Sequence, residues 1–547
     1  MNNKKDTFIE DSKYLEKKYN KYLNELSYLF NQIHNVNFTT SFWKKSFGLG
    51  FRRYLHMCYD GYCFNVSDKN DCKNLFLKDS DYVTPIDFEE YRDIFQNTNF
   101  GTIQLSSMYN QTFSQDKNFT FTKIEKQNIE KKNSNKKNSF WARIKRIDFH
   151  KVLRRFLKFL YRKKLHKVLI LDSYFSNKNR NKLYVKSSGE ITDYTFKKIN
   201  QDSNTDIAAR IKYFATIIIE DDFDKFFKNC LIFTFPQFFI ENFKTNLNYN
   251  NILVENLSCN YIISESWISS TYLSFFLSLA KEIKGINHIY NEHNYMEHQF
   301  IGNHNFLISD MVDIFYTIGW EANSKYKNIK QGASLFPFTE KSYRFNNDNV
   351  ILYMSASPSK KIEEFNSAYG ENGENGLYYL IFIEIFFKIL NQSVFEEISY
   401  RGYPSRNDWL EHSKDKYIDF KRIKHIDDFS KSGKHAMLNS KLVIIDYLAT
   451  SYLESLLMNI PTIIFWNQDT YYLTDDNKDF FDQLVLCGIC QTSPEEAAKF
   501  VNELVENDSI EKWWYSEKTQ NARKAFLDTN IGNPQDAIDF YLSLAKE

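Results

Sequence analysis

At 547 residues the chain is too long for one ordinary hydrophobic core, so two domains or three are expected. Hydrophobic residues make up 43% and charged ones 25%, a globular composition, and a formal charge of +1 excludes bulk electrostatic binding of nucleic acid. The seven cysteines are scattered, which fits reduced thiols rather than a disulfide framework.

The opening "MNNKKDTFIEDSKYLEKKYN" has no apolar signal region, and no window is long and apolar enough to span a bilayer. A cytoplasmic protein is the resulting expectation. Residues 12–60 read as helical, with Leu15, Tyr19, Tyr22, Leu26, Leu29 and Ile33 at helical spacing. The Asn/Lys-rich run Gln115 to Ser139 reads as an insertion without a core of its own.

Over 143–167 a basic amphipathic helix is expected. Phe149, Val152, Leu153, Phe156, Leu157 and Leu160 share one face; Lys151, Arg154, Arg155, Lys158 and Arg162 share the other. The favoured reading docks the apolar stripe on the core, and the alternative lays the helix on an anionic membrane surface as a peripheral contact.

A βαβ rhythm follows: strands in "KVLILDSYF", "NYIISES", "INHIYNEH" and "DIFYTIG", with the helix "STYLSFFLSLAKEIKG" between the second and third. A second series starts near Asn349, with strands in "NVILYMSAS", "ISYRGYP", "KLVIIDY", "PTIIFW" and "LVLCGICQ". Its helices are "GLYYLIFIEIFFKILN", a segment near "IDDFSKSGKHAMLN", "SYLESLLM", and "SPEEAAKFVNELVEN" with Ser493 and Glu496 as a capping box. The polar link after Trp320 is the expected boundary, and the stretch Glu511 to Glu547 is expected to cross back to the first half. The division is then a helical region over 1–140, a first Rossmann-like unit over 141–330 and a second over 345–547.

Ligands of open parallel sheets lie beyond the carboxyl ends of the strands. There the second series offers "DYLATS", where Asp446, Thr450 and Ser451 precede a helix whose free N–H groups suit a phosphate. Glu454, one turn on, suits ribose hydroxyls; the plain alternative is that Thr450 or Ser451 caps the helix. "YRGYP" adds Arg401 as a phosphate fork or a structural salt bridge, and Tyr403 to meet a base. "SASPS" adds Ser355 and Ser357.

In the first series, "NEHNYMEH" brings Glu292, His293, Glu297 and His298 to the rim. A histidine beside a carboxylate is a candidate general base, so His293 and Glu292 are the catalytic candidates. The spacing is not the helical zinc pattern, and no metal is expected. "EDDFDKFF", with Asp222 and Asp224, reads as a solvated helix start rather than a metal motif. The lone "CGIC" of Cys487 and Cys490 reads as packing.

The string "LVIIDYLATSYLESLLMNIPTIIFWN" resembles a family of transferases from bacterial surface-carbohydrate (lipopolysaccharide O-antigen type) loci. The C-terminal halves of that family are similar to capsule and teichoic-acid enzymes and to the UDP-GlcNAc 2-epimerase group. The likeness continues through "FFDQLVLCGICQTSPEEAAKFVNEL", Trp513–Trp514 and "TQNARKAF", and upstream through "SDMVDIFYTIGW" and "YLNELSYLFNQIHNVNFTTSFWKKSFG". Where members carry Gln-His-Gly-Gly this chain has "NEHNY", which keeps His293 and replaces the glycines by Asn294 and Tyr295.

The resemblance implies an α/β fold of the GT-B type: two Rossmann-like domains facing across a cleft, with an N-terminal helical region. It implies a metal-independent glycosyltransferase that uses a nucleotide-sugar donor as co-substrate, with no resident cofactor, on a saccharide or lipid-linked acceptor. Likeness of Tyr403–Pro404 and Thr450–Ser451 to the nucleotide contacts of cytidine-nucleotide enzymes tilts the donor towards CMP or CDP. Polyol-phosphate transfer, nucleotide-sugar epimerisation and non-catalytic carbohydrate binding are the alternatives.

Overall fold

In the computed structural model the described residues are 2–66, 75–97, 99–114, 149–161, 165–199, 204–265, 270–292, 305–321, 327–333, 343–356, 375–402, 414–466 and 473–547. The expected insertion at 115–139 lies outside them.

Short apolar runs set the frame. The first sheet is wholly parallel and comprises β1 (Val168–Asp172), β2 (Ile191–Asp193), β3 (Tyr261–Ser264), β4 (Asn287–Asn291), β5 (Ile314–Tyr316) and β6 (Ile329–Lys330), in the order β2-β1-β3-β4-β5-β6. The second, also parallel, comprises β7 (Val350–Met354), β8 (Ile398–Arg401), β9 (His425–Ile426), β10 (Ser440–Ile445), β11 (Thr462–Phe465) and β12 (Cys490–Gln491), in the order β12-β11-β10-β7-β8-β9. Read from the other edge, that is the Rossmann order 3-2-1-4-5-6. All six residues of β10 are buried, because helices cover both faces of a parallel sheet. Each fully buried aliphatic there stabilises by roughly 1.5–3 kcal/mol.

The order of strands reverses between β1 and β3 in the first sheet and between β7 and β10 in the second. At such a switch point the flanking connections leave on opposite faces and open a crevice beyond the strand ends. The α/β architecture with two Rossmann-like sheets and an N-terminal helical region is the one expected.

Two long helices, Asn2–His34 and Thr40–Val66, form the N-terminal region, with Phe88–Asn97 and Asn99–Phe113 beside them. Asn35 breaks the first pair apart with a left-handed backbone (φ 52°), and Asn31 clasps the turn by pairing with Phe38 N and O and with the Trp43 indole. The aromatic abundance has a structural use here: Phe30, Trp43, Phe47, Phe51 and Tyr54 are buried together.

Asp222 and Asp224 do begin a helix, Asp222–Thr234, capped by Asp221. Asp224, however, is not solvated. It is fully buried and takes bonds from Lys18 (2.6 Å), Lys21 (2.8 Å), Glu220 N (2.8 Å) and the Tyr22 hydroxyl, which ties the first helix to this one. Burial opposes its ionisation, but these donors outweigh burial and draw the carboxyl down to about 2.

Two other expectations need correction. "LVL" in "LVLCGICQ" closes the helix Asp475–Leu486, and only Cys490–Gln491 pairs as a strand. Ser493 caps the helix Pro494–Glu506 through Glu496 N, while the Glu496 carboxylate turns to Lys499 instead of completing the box. Cys487 and Cys490 are buried thiols pushed up by burial.

The amphipathic helix forms over Phe149–Leu160, but only part of the expected apolar stripe docks. Arg154 turns inward to Asp193, Asn177 and Asn181, and Leu157 is buried, whereas Phe156 (57%), Phe159 (60%) and Leu160 (55%) are exposed. The half-buried Asp193 carboxylate draws Arg154 against the body of the protein beside Leu157. No described helix is long and apolar enough to cross a membrane.

The closing helix, Pro534–Leu544, returns to the first sheet as expected. Tyr541 donates to Asn291 Oδ1 (2.8 Å), and Phe540 stacks on Tyr316 at 4.4 Å. The chain reaches it by crossing Gly319, where Gly532 N donates to Ile318 O at 2.8 Å. A Cβ on Gly319 would lie 2.1 Å from Gly532 N, and its φ of 153° also favours glycine.

Candidate functional site

At the switch point of the second sheet, β7 and β10 end side by side, and Asp446 is the first residue beyond β10. Its carboxylate is buried and accepts from the Tyr353 hydroxyl (2.8 Å), the Tyr379 hydroxyl (2.7 Å) and Ala356 N (2.9 Å). Ser355 Oγ meets the Tyr379 hydroxyl at 2.6 Å, and Lys414 Nζ donates to Ser355 Oγ (3.1 Å) and Ala356 O (3.0 Å). Burial pushes Asp446 up, against the pull of Tyr379 and the Lys414 charge.

Asp446 and Ser355 are thus brought together, but as members of a hydrogen-bonded knot. They fix the ends of β7 and β10 beneath the turn that follows β10.

That turn runs into the helix Thr450–Leu457. Its N-cap is Ala449, which has no side-chain cap, so neither Thr450 nor Ser451 serves as the cap. A helix start without a side-chain acceptor keeps its first N–H groups and positive dipole end for an anion. Thr450 and Ser451 stand in the first turn, and Ser451 Oγ lies 2.9 Å from the Tyr447 hydroxyl, which holds it in place. Glu454 is largely buried, pushed up by that burial and drawn back by Lys434.

Arg401 ends β8 but turns away. Its Nη1 pairs with Asp427 at 2.6 Å, its Nη2 donates to Lys431 O (3.2 Å), and its guanidinium covers the Phe429 ring. With 7% exposure and these partners, the structural salt bridge is the role its geometry supports. Ser357 and Tyr403 lie outside the described residues.

On the first sheet, Glu292 follows β4 and is 2% exposed. Its Oε2 accepts from the Trp320 indole (2.6 Å) and Ile318 N (3.1 Å), which fixes the ends of β4 and β5 to one another. Through these bonds Glu292 anchors the strand ends beside it. His293, Glu297 and His298 lie outside the described residues.

Beside it, at the switch point between β1 and β3, Glu265 is buried and accepts from Asn291 Nδ2 and Tyr174 N. Burial pushes its carboxyl up to about 8, with Asp172 adding repulsion. Among the described residues no three His, Cys, Asp or Glu side chains gather as a metal site.

Several of these residues escaped the sequence reading. A tyrosine inside a buried parallel strand must find a partner for its hydroxyl, so Tyr353 carried a usable signal. Glu265, one residue past a β-rich run, sat in the same kind of position as Asp446. Lys414 and Tyr379 carried none, since nothing local marks a lysine or a helix tyrosine that meets a strand end.

A family described as LIC12162 family transferase matches residues 2–540. No curated protein sequence matches the chain. Among solved structures, a proposed UDP-N-acetylglucosamine 2-epimerase from Listeria monocytogenes aligns with 14% identity over 70% of this chain and 96% of its own, at a TM-score of 0.40. The UDP-GlcNAc 2-epimerase from Neisseria meningitidis bound to UDP-GlcNAc aligns with 11% identity over 67% and 99%, at 0.34. Anabaena HepE in complex with UDP aligns with 9% identity over 70% and 98%, also at 0.34.

Proposed function

The chain belongs to the LIC12162 family of transferases, and from that premise we propose that it is a glycosyltransferase of the GT-B type. Its donor is a nucleotide-activated sugar, with a CMP- or CDP-linked one favoured, and its acceptor is a saccharide of a lipopolysaccharide or capsule type of surface polymer.

The observation that carries this reading is the uncapped start of the helix Thr450–Leu457, set at the switch point of a Rossmann-ordered sheet. Donor phosphates placed there meet main-chain N–H groups, the helix dipole and the Thr450 and Ser451 hydroxyls. These stabilise the charge that builds on the leaving phosphate, and the reading needs no metal. The Asp446 knot holds the strand ends that aim the turn. His293 remains the proposed base for the acceptor hydroxyl.

The reaction takes place in the cytoplasm, with a peripheral inner-membrane contact through the helix Phe149–Leu160. Exposed Phe156, Phe159 and Leu160 support that contact, with Arg155 exposed beside them.

Calorimetry with CMP, CDP, UDP, GDP and dTDP tests the donor site. One nucleotide is expected to bind, and Thr450→Ala with Ser451→Ala is expected to weaken it about tenfold, the worth of one charge-assisted hydrogen bond. Absence of binding by all five, or affinity unchanged in the double variant, overturns the site.

A further inference from the structure

Backbone strain marks one loop of the second sheet. Among the described residues, Asn35, Ser188, Asn459 and Asp508 have a positive φ, and their short polar side chains suit that region. Phe429 shares it, at 60°. A bulky apolar residue does not settle there unaided, so its surroundings must hold it.

Three bonds do so. Phe429 N donates to Asp427 Oδ1 (2.7 Å), and Asp427 Oδ2 accepts from Arg401 Nη1 (2.6 Å). Arg401 Nη2 donates to Lys431 O (3.2 Å) on the far side of the loop. The last residue of β8 and the first beyond β9 thus form a brace around one phenylalanine.

The brace does not bury the ring. Phe429 is 42% exposed, and the Arg401 guanidinium lies 4.9 Å from the ring centre. A ring that is strained at its backbone and left in water adds little to the core. What it offers is a flat π surface, backed by a cation, at the carboxyl rim of a parallel sheet.

The same loop leads to the donor turn. A Cβ on Gly433 would lie 3.7 Å from both Arg401 Nε and Met354 Cε, so the chain passes over the ends of β8 and β7. Lys434 then comes close enough to Glu454, on the helix Thr450–Leu457, for the two charges to attract. β8 and β10 are two strand spacings apart, roughly 10 Å, a distance that a nucleoside diphosphate spans from phosphates to base.

We propose that the base of the donor nucleotide stacks on Phe429, which Arg401 and Asp427 hold out for it. This rests on the reading that places the donor phosphates at Thr450 and Ser451. The ring then sets affinity for the nucleoside part and leaves the contacts of the phosphates unchanged.

The test is calorimetry and fluorescence on the full chain with CMP, CDP, UDP, GDP and dTDP, and with inorganic pyrophosphate as the probe that lacks a base. Phe429→Gly removes the ring and relaxes the backbone. It is expected to weaken the bound nucleotide about tenfold without lowering the melting temperature, and to leave pyrophosphate unchanged. Phe429→Tyr keeps a ring and is expected to bind nucleotide within about twofold of wild type. Phe429→Trp is expected to gain a saturable change in indole emission with nucleotide that pyrophosphate does not cause.

Wild-type nucleotide affinity in Phe429→Gly overturns the platform and keeps the donor site. So does an equal loss for pyrophosphate, or an unchanged emission from a Phe429→Trp protein that binds nucleotide. Absence of binding by all five nucleotides in the wild-type chain removes the donor site and the platform with it.

Discussion

The Tyr379 hydroxyl donates to Asp446 Oδ2 at 2.7 Å, and through that bond a helix preceding β8 is tied to the end of β10. Tyr379→Phe removes the donor and leaves a buried carboxylate short of one partner, which costs roughly 1–3 kcal/mol. Urea unfolding is expected to show that loss. Nucleotide affinity is expected to fall less than in the Thr450/Ser451 double variant, because Tyr379 positions the turn and does not touch the donor.

Asp224 sets the acid limit of the N-terminal region. Its carboxyl is held down at about 2 by Lys18, Lys21 and Tyr22, so its contribution is present above the ordinary carboxylate range and is lost as pH falls towards 2. Asp224→Ala removes the buried carboxylate shared by Lys18 and Lys21, of which Lys18 keeps Asp221 and Lys21 keeps Ile218 O, and is expected to cost roughly 3 kcal/mol at neutral pH. A variant that unfolds with wild-type stability would show that the knot contributes nothing net.

Glu265 works in the opposite direction. Its folded carboxyl is pushed up to about 8, so the stability from keeping it neutral is complete below the ordinary carboxylate range and declines as pH rises to about 8. Glu265→Gln is expected to flatten that decline in melting temperature across the same window. An unchanged slope would mean that the wild-type carboxyl is already ionised at neutrality.

Phe156 and Phe159 are both more than half exposed on one helix. Phe156→Glu with Phe159→Glu is expected to leave the melting temperature within about one degree and to reduce sedimentation with vesicles containing phosphatidylglycerol severalfold. Equal sedimentation of both proteins would remove the membrane contact.

Gly319 has no room for a side chain. Gly319→Ala drives a methyl group against Gly532 N and the Ile531 carbonyl carbon, with no flexible side chain to yield. The variant is expected to release the helix Pro534–Leu544, read as faster amide exchange there and a loss of several degrees in melting temperature.

Periodicity and turn chemistry made much of this fold legible. β10 carries four consecutive aliphatics, Leu442 to Ile445, all fully buried, and such a run bounded by a turn has few other places to go. "LVLCGICQ" misled because three apolar residues suit the end of a helix as well as a strand, and the Gly488 turn at φ 86° decides between them. The site was half legible. Asp446 and Ser355 were found by their place after a strand, but that place does not reveal whether a side chain faces a ligand or its neighbours. Arg401 was equally balanced on paper, and Asp427, twenty-six residues on, tipped it. The inward turn of Arg154 on the helix Phe149–Leu160 has the same origin: its partner Asp193 lies thirty-nine residues on in sequence.

The crossing at Gly532 also bears on how the protein is made. The first sheet emerges from the ribosome long before the helix that covers Asn291, Phe175 and Tyr316 has been translated. Until residues 534–544 arrive, that face of the sheet lacks its cover, and its apolar side chains need a temporary occupant. The first half of the molecule is therefore completed last, and a truncation of only the final turns would be felt some 250 residues upstream, at Asn291.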